Sequence, residues 1–319
     1  MNSLEKSQNT GTENNSAKGI ALAVTGAVMW GIMGIFVRYL SGTGYTSFDI
    51  AFLRCLSAGI LFFAFKAVTK PSVLKINLKG LVICFLYGIS AYMVGFVCYG
   101  ISVERIPVAV ATVLMFMSPV WVAILGVVIF RERLTKQTVV TIVFCVLGAA
   151  MVANVFGSSG GSMDAIGILA GIINGFGVAL QIMIPRYFTN QYERDTMLVY
   201  GFLGAALGLF FAADFKTIIN SLQSPEALPV IINILGLGVL CTMVANVAVI
   251  KSTEFISTTT CSILSSLEVV VGAVVGILLF SEPMSFLQIA GGVIVVGCSL
   301  GQTLLNVKKK PKKGSEEVN

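Results

Sequence analysis

SVERIPVAVATVLMFMSPVWVAILGVVIFRE, residues 102–132, and STEFISTTTCSILSSLEVVVGAVVGILLFSE, residues 252–282, are two renderings of one pattern set 150 positions apart. At that constant offset Ser102 meets Ser252, Glu104 meets Glu254, Ile106 meets Ile256, Leu114 meets Leu264, Val120 meets Val270, Ala123 meets Ala273, Gly126 meets Gly276, Phe130 meets Phe280 and Glu132 meets Glu282. Shared apolar composition accounts for some of these matches. It does not account for two glutamates and a glycine in one gapless register, so the chain carries an internal duplication. The copies differ at their centres, with Ser118-Pro119 in the first and Glu268-Val269 in the second.

Composition sets the solvent. Hydrophobic residues make up 56% of the 319-residue chain and charged residues 11%, and the mean hydropathy is +0.92. A soluble domain of this size carries about a quarter charged residues. The composition is that of a polytopic membrane protein, in which every backbone polar group inside lipid must be paired internally. Apolar runs near twenty residues select helices over a barrel. The expected fold is therefore all-α, with ten transmembrane helices over residues 19–40, 48–65, 80–100, 108–130, 139–155, 165–185, 197–213, 230–250, 256–280 and 287–307. Residues 1–18 are read as a disordered tail, 19–155 as the first five-helix repeat, 156–164 as a Gly/Ser-rich linker, 165–307 as the second repeat and 308–319 as a basic tail.

Lysine and arginine set the orientation. With the N-terminus inside, 17 of the 21 basic residues fall in cytoplasmic segments and only Arg38, Arg105 and Lys216 fall outside, while Arg54 lies within a span. Both termini are thus expected in the cytoplasm. Five spans per repeat is an odd number, so the second repeat is expected to lie inverted against the first. Arg38-Tyr39 after the first span and Arg186-Tyr187 after the sixth are a weaker echo of the same duplication. Inverted repeats of spans are the architecture of secondary transporters, with the substrate near the midplane where the repeats meet.

This arrangement resembles the EamA-type transporters of the drug/metabolite transporter superfamily. The resemblance covers residues 19–307. It rests on five plus five spans, on Pro119 followed thirteen residues later by Glu132 in FRERLT, on Glu282 in FSEPMS, and on Arg54 in the second span. It implies export or exchange of a small metabolite, amino acid, amine or drug-like compound through a bacterial inner membrane. One departure is Val269 where Pro119 has its counterpart, which predicts a helix kink at Pro119 that the second copy lacks.

Few polar groups lie deep in the spans. Glu268 falls near mid-depth, and Arg54 is six residues into its span. An ionised side chain at a helix centre costs about 2.5–3.5 kcal/mol on insertion scales and normally faces a wet interior. Glu268 is the leading candidate for the substrate path, either as a proton-exchanging group or as a partner for a cationic substrate. A structural pairing with Arg54 is the alternative, and Arg54 itself reads first as a brace. Trp30, Tyr92, Tyr99, Asn174, Gln181 and Asn246 are the neutral candidates for the lining. Tyr92 with Tyr99 and Asn174 with Gln181 are each seven apart and share a helix face. Glu132, Glu282, Glu104 and Glu254 read as boundary residues.

Absences narrow the chemistry. The chain has no histidine, and its seven cysteines show no CxxC spacing and lie in apolar runs. Buried thiols are expected, with no metal site and no cofactor. No Walker motif is present, so energy would come from a proton, an ion or the substrate's own gradient. The tail lysines read as a topology anchor and not as a nucleic-acid footprint. The expected partners are a small-molecule substrate and the lipid bilayer, with the chain as a monomer or homodimer. A lipid-headgroup flippase is the competing reading. A membrane-embedded enzyme is a weaker one, for want of any nucleophile with a base.

Overall fold

The computed structural model describes residues 2–106, 108–153, 155, 164–281 and 284–308, with side chains left out at 2–14, 108–109 and 303–308. Among the described residues the chain is all helix and turn, without strands. Seven helical stretches are long and apolar enough to cross a membrane, namely Asn15–Gly42, Ser47–Thr69, Leu78–Arg105, Val110–Phe130, Ala165–Tyr187, Ala227–Ser252 and Thr258–Phe280. The helices Lys136–Val152 and Phe286–Gln302 are apolar but shorter. Large apolar side chains such as Phe65, Val128, Phe211, Leu278 and Phe286 point outward. That is the surface a multi-pass protein presents to lipid.

Most of the long stretches are interrupted. Helix α1 (Asn2–Gly31) gives way at Ile32 to α2 (Met33–Gly42). Its helical backbone is described from Asn2. Once a span has nucleated a helix, each added turn avoids the nucleation cost, and a polar extension can follow. Helix α3 (Ser47–Thr69) starts in a capping box between Thr46 and Asp49. Helices α4 (Leu78–Tyr87) and α5 (Val94–Arg105) flank a π segment, Gly88–Met93. Helix α6 (Val108–Met115) is offset from α7 (Ser118–Phe130), and α8 (Lys136–Val152) completes the first copy.

The second copy repeats this plan. Helices α9 (Ala165–Tyr187) and α10 (Arg194–Leu209) are followed by the short α11 (Phe215–Leu222). Helices α12 (Ala227–Leu235) and α13 (Ala245–Ser252) flank a second π segment, Gly236–Val244. Helix α14 (Thr258–Ser265) breaks at Ser266 before α15 (Leu267–Phe280), and α16 (Phe286–Lys308) ends the described chain. The first π segment moved by 150 positions falls inside the second. Arg131 and Ser281, also 150 apart, close α7 and α15 in the same left-handed conformation, φ 52° and ψ 33°. Packing repeats as well: α5 lies on α9 and α7 on α9, as α13 lies on α1 and α15 on α1. Helices α3 with α10 and α8 with α16 form the remaining large pairs.

The break at Ser266 corrects one expectation. Pro119, buried at the start of α7, lacks an N–H to continue the ladder, so the first copy breaks there. The second copy has no proline and breaks all the same. Ser265 Oγ donates to the Cys261 carbonyl at 2.9 Å and Ser266 Oγ to the Ser262 carbonyl at 3.3 Å. Hydroxyls that compete for i−4 carbonyls bend helices. Gly204 and Gly208 pack tightly, on Phe85 and Met93, whereas Gly297 and Gly301 face open space and hold no helix contact. The cysteines are free, five of them buried and Cys98 and Cys298 half-buried.

Candidate functional site

The two π segments place a chain of polar side chains between the copies. A π turn adds one residue per turn, so residues five apart come to one side. Tyr87 and Tyr92 are such a pair, with hydroxyls 3.1 Å apart and rings edge to face. Tyr92 donates to Asn246 Oδ1 at 2.8 Å, and Asn246 Nδ2 donates to the Thr242 carbonyl at 2.8 Å. Thr242 lies in the second π segment, 150 positions after Tyr92, and its hydroxyl accepts from Arg54 Nε at 3.0 Å. Tyr87 donates to the Gln181 carbonyl at 3.1 Å, and Gln181 Nε2 donates to the Ala91 carbonyl at 3.2 Å. The network is buried from end to end and joins α3, α9 and both π segments.

Arg54 is held on three sides. Besides Thr242, its Nη1 points at Met33 Sδ at 3.2 Å, and its guanidinium lies over the Phe96 ring at 4.6 Å. Met33 begins α2, directly after the break in the first span. On the other side of that break Gly31 packs so closely on α15 that an added Cβ would lie 2.9 Å from the Glu268 carbonyl oxygen and against Val271. Among the described residues Arg54 and Glu268 form no salt bridge with one another. Glu268 is half-buried. Its carboxylate makes no hydrogen bond to any described residue. It lies in the first turn of α15, just past the break at Ser266, so a partly accessible, unbonded acid stands where the span is interrupted.

The sequence candidates thus separate. Arg54, Tyr92, Gln181 and Asn246 belong to one network, and Glu268 lies beside it. Asn174 shares the helix of Gln181 but faces Gly95, and its Nδ2 is buried without a partner among the described residues. Tyr99 hydrogen-bonds Thr112 instead. Trp30 packs on an apolar cluster that includes Val122, Ile182, Met183 and Leu264. Tyr87, Thr242 and Phe96 were not foreseen. Their signal was a five-residue spacing and a position in the repeat that no helical period exposes. No cluster of His, Cys, Asp and Glu able to hold a metal occurs among the described residues.

Charged groups gather at the two ends of the bundle. At one end Glu132 pairs with Arg186 at 2.5 Å, Lys66 with Asp195 at 2.5 Å and Arg194 with Glu254 at 2.7 Å. Lys70 pairs there with Glu193 at 2.6 Å, and that hydrogen bond raises Lys70 above the usual lysine range. Elsewhere Arg105 holds Asp164 at 2.8 Å, and its hydrogen bond, with a second from the Ile166 N–H, keeps Asp164 below the usual carboxylate range. Glu282 lies outside the described residues, as do 156–163 of the expected linker and the end of the basic tail.

Comparison with known proteins places this geometry. The model of the EamA-like transporter family matches residues 17–154 and, a second time, 165–301. The pseudopaline exporter CntI of Pseudomonas aeruginosa is 26% identical over 280 residues, covering 87% of this chain and 93% of that protein. An uncharacterized transporter of Archaeoglobus fulgidus is 24% identical over 284 residues, covering 87% of this chain and 93% of its own. A solved crystal structure superposes with a TM-score of 0.72 at 16% identity, over 91% of this chain and 98% of that one, which speaks to the fold.

Proposed function

The chain belongs to the EamA-like transporter family, and on that premise we propose that it is a secondary transporter moving a small metabolite across a bacterial cytoplasmic membrane. In this reading its ten spans form two inverted five-helix repeats that work by alternating access. The recurring π segments, left-handed caps and helix contacts support the duplication. The bias of lysine and arginine supports cytoplasmic termini, so that Glu132 and Arg186 sit on the cytoplasmic side and Arg38 on the outer side.

One observation carries the reading: Glu268 is an acid in the first turn of α15, partly accessible and without a hydrogen bond to any described residue, set where its own span and the first span both break and beside the network around Arg54. A group of that kind binds a cationic or amine centre of the substrate, or exchanges a proton with the cycle. The export named for the pseudopaline exporter, a relative, agrees with outward movement of a polar metabolite. The test is to profile the culture medium of cells with the wild-type chain, without it, and with Glu268→Gln. A compound whose extracellular level follows the wild type and falls to the empty-cell level with Glu268→Gln supports the reading. A compound exported equally by the variant, with unchanged pH dependence, removes Glu268 from the mechanism.

A further inference from the structure

At the end of the bundle where α7 and α9 finish and α14 begins, four side chains form a closed polar cluster. Arg186 Nη1 donates to Glu132 Oε1 at 2.5 Å and to Thr258 Oγ1 at 2.8 Å. The Thr258 and Thr259 hydroxyls donate to the two oxygens of Glu132, each at 3.4 Å. The guanidinium also covers the Phe130 ring at 4.5 Å. Glu132 follows the left-handed residue Arg131, which folds the chain back so that its carboxylate lies over Gly126. Gly126 has no Cβ to obstruct it. The cluster therefore ties α7 of the first copy to α9 and α14 of the second.

Beneath it the bundle is packed shut. Val122, Ile182, Met183, Cys261 and Leu264 form a buried apolar cluster, and Phe130 connects it to Arg186. No polar solute can pass toward this end unless α7 and α14 part from α9, and that parting separates Glu132 from Arg186. The pair keeps some access to water, with side chains 17% and 24% exposed, so water can take over its bonds when it opens.

The opposite end carries the related arrangement with different chemistry. Arg38 covers the Phe280 ring at 4.2 Å, as Arg186 covers Phe130. The positions 150 before Thr258 and Thr259 are Val108 and Ala109, which have no hydroxyl to offer a carboxylate. We propose that Glu132, Arg186, Thr258 and Thr259 form a latch that must open in every transport cycle, and that the two threonine hydroxyls bias the resting protein toward closure at this end. The proposal rests on the transporter reading for its cycle but not for its test.

Cys261 is the native reporter. It lies one turn past Thr258, is fully buried, and sits in the apolar cluster that the latch covers. Purified protein in detergent is treated with N-ethylmaleimide, and the rate at each cysteine is read by mass spectrometry, with Cys55 and Cys84 in the other core cluster as controls. Thr258→Val with Thr259→Ala writes the first copy's residues into the second, and Glu132→Gln removes the charge. Either change should speed labelling of Cys261 roughly ten-fold while leaving the controls within about two-fold, since a hydrogen bond to a charged group shifts an equilibrium by about that factor. The exchange Glu132→Arg with Arg186→Glu should return the rate toward wild type. Unchanged labelling of Cys261 in both variants overturns the latch. So does an equal rise at all three cysteines, which is general loosening. Labelling that responds in a protein for which no exported compound is found leaves the closed cluster at this end standing and overturns the export reading alone.

Discussion

Tyr92, inside the first π segment, donates a 2.8 Å hydrogen bond to Asn246, two residues past the second π segment. The bond joins the two copies at the place where both helices are locally unwound. Its partners are all buried, so its loss leaves an amide oxygen of Asn246 without a donor. Tyr92→Phe should destabilise the protein by about 1–3 kcal/mol, the cost of an unsatisfied buried group. Thermal unfolding in one detergent checks this. A variant as stable as wild type would mean that water or a neighbour replaces the tyrosine.

Gly88 opens the first π segment against α10. A Cβ there would sit 1.9 Å from the Gly201 carbonyl oxygen and 2.8 Å from the Ala205 nitrogen, both backbone atoms that cannot swing aside. Gly88→Ala should cost about 3 kcal/mol or more, at the upper end of overpacking penalties. Gly297→Ala, where a Cβ meets nothing within 4 Å, should be neutral or stabilise by up to about 1 kcal/mol through helix propensity. Comparable losses from the two alanines would show that the close approach of α4 and α10 is not tight.

How far these features could be read from the sequence depended on whether they repeat as residue types. The gapless register exposed the duplication through Glu104, Gly126 and Glu132, because identical residues survived in both copies. Tyr92 and Thr242 hold equivalent places but differ in type, so the register passed over them. Helical periodicity paired Tyr92 with Tyr99. The π turn pairs Tyr92 with Tyr87 and leaves Tyr99 to Thr112. Pro119 was a visible break, whereas the break at Ser266 depends on hydroxyls turned back onto the preceding turn. Glu132 was read as an edge residue. Its partners came from α9 and α14, at sequence distances that no local pattern reports.

Ser281 closes α15 with φ 52°. A non-glycine residue in the left-handed region costs about 1–2 kcal/mol. Ser281→Gly should therefore raise stability by about 0.5–1 kcal/mol after the entropy it adds to the unfolded chain. Ser281→Val should lower it by more than about 1 kcal/mol, because a β-branched residue is least tolerant of that conformation. Thermal melts of the two variants in parallel decide it. The opposite order would show that the Ser281 side chain stabilises the turn by a contact that outweighs the strain.

Asp164 caps α9 and is held by Arg105 below the usual carboxylate range. A depressed folded value means that its contribution is complete above the unfolded value and is lost as pH falls through the folded one. Asp164→Asn should thus melt below wild type near neutral pH, and the gap should shrink as the medium is acidified past the ordinary carboxylate range. A gap that is constant with pH would assign the effect to the cap geometry and not to the charge.

Arg54 distinguishes a brace from a bare charge. Its Nε bond to Thr242 and its stack on Phe96 both depend on the planar guanidinium. Arg54→Lys keeps the charge, loses both contacts, and leaves a buried ammonium short of acceptors. It should cost about 1–3 kcal/mol. Arg54→Met keeps the apolar stem, and Thr242 still donates to the Leu237 carbonyl at 2.9 Å. No salt bridge is broken, so its stability should stay within about 1 kcal/mol of wild type, as when buried charges give way to packed apolar groups. Arg54→Met also removes a cation from the α3 face of the network that lies beside Glu268. Export in the medium assay should fall with Arg54→Met despite normal folding, because the acid is no longer balanced. Lysine as stable as wild type would dismiss the Phe96 stack and the Thr242 bond. Methionine with full export would confine Arg54 to the scaffold and leave Glu268 to act alone.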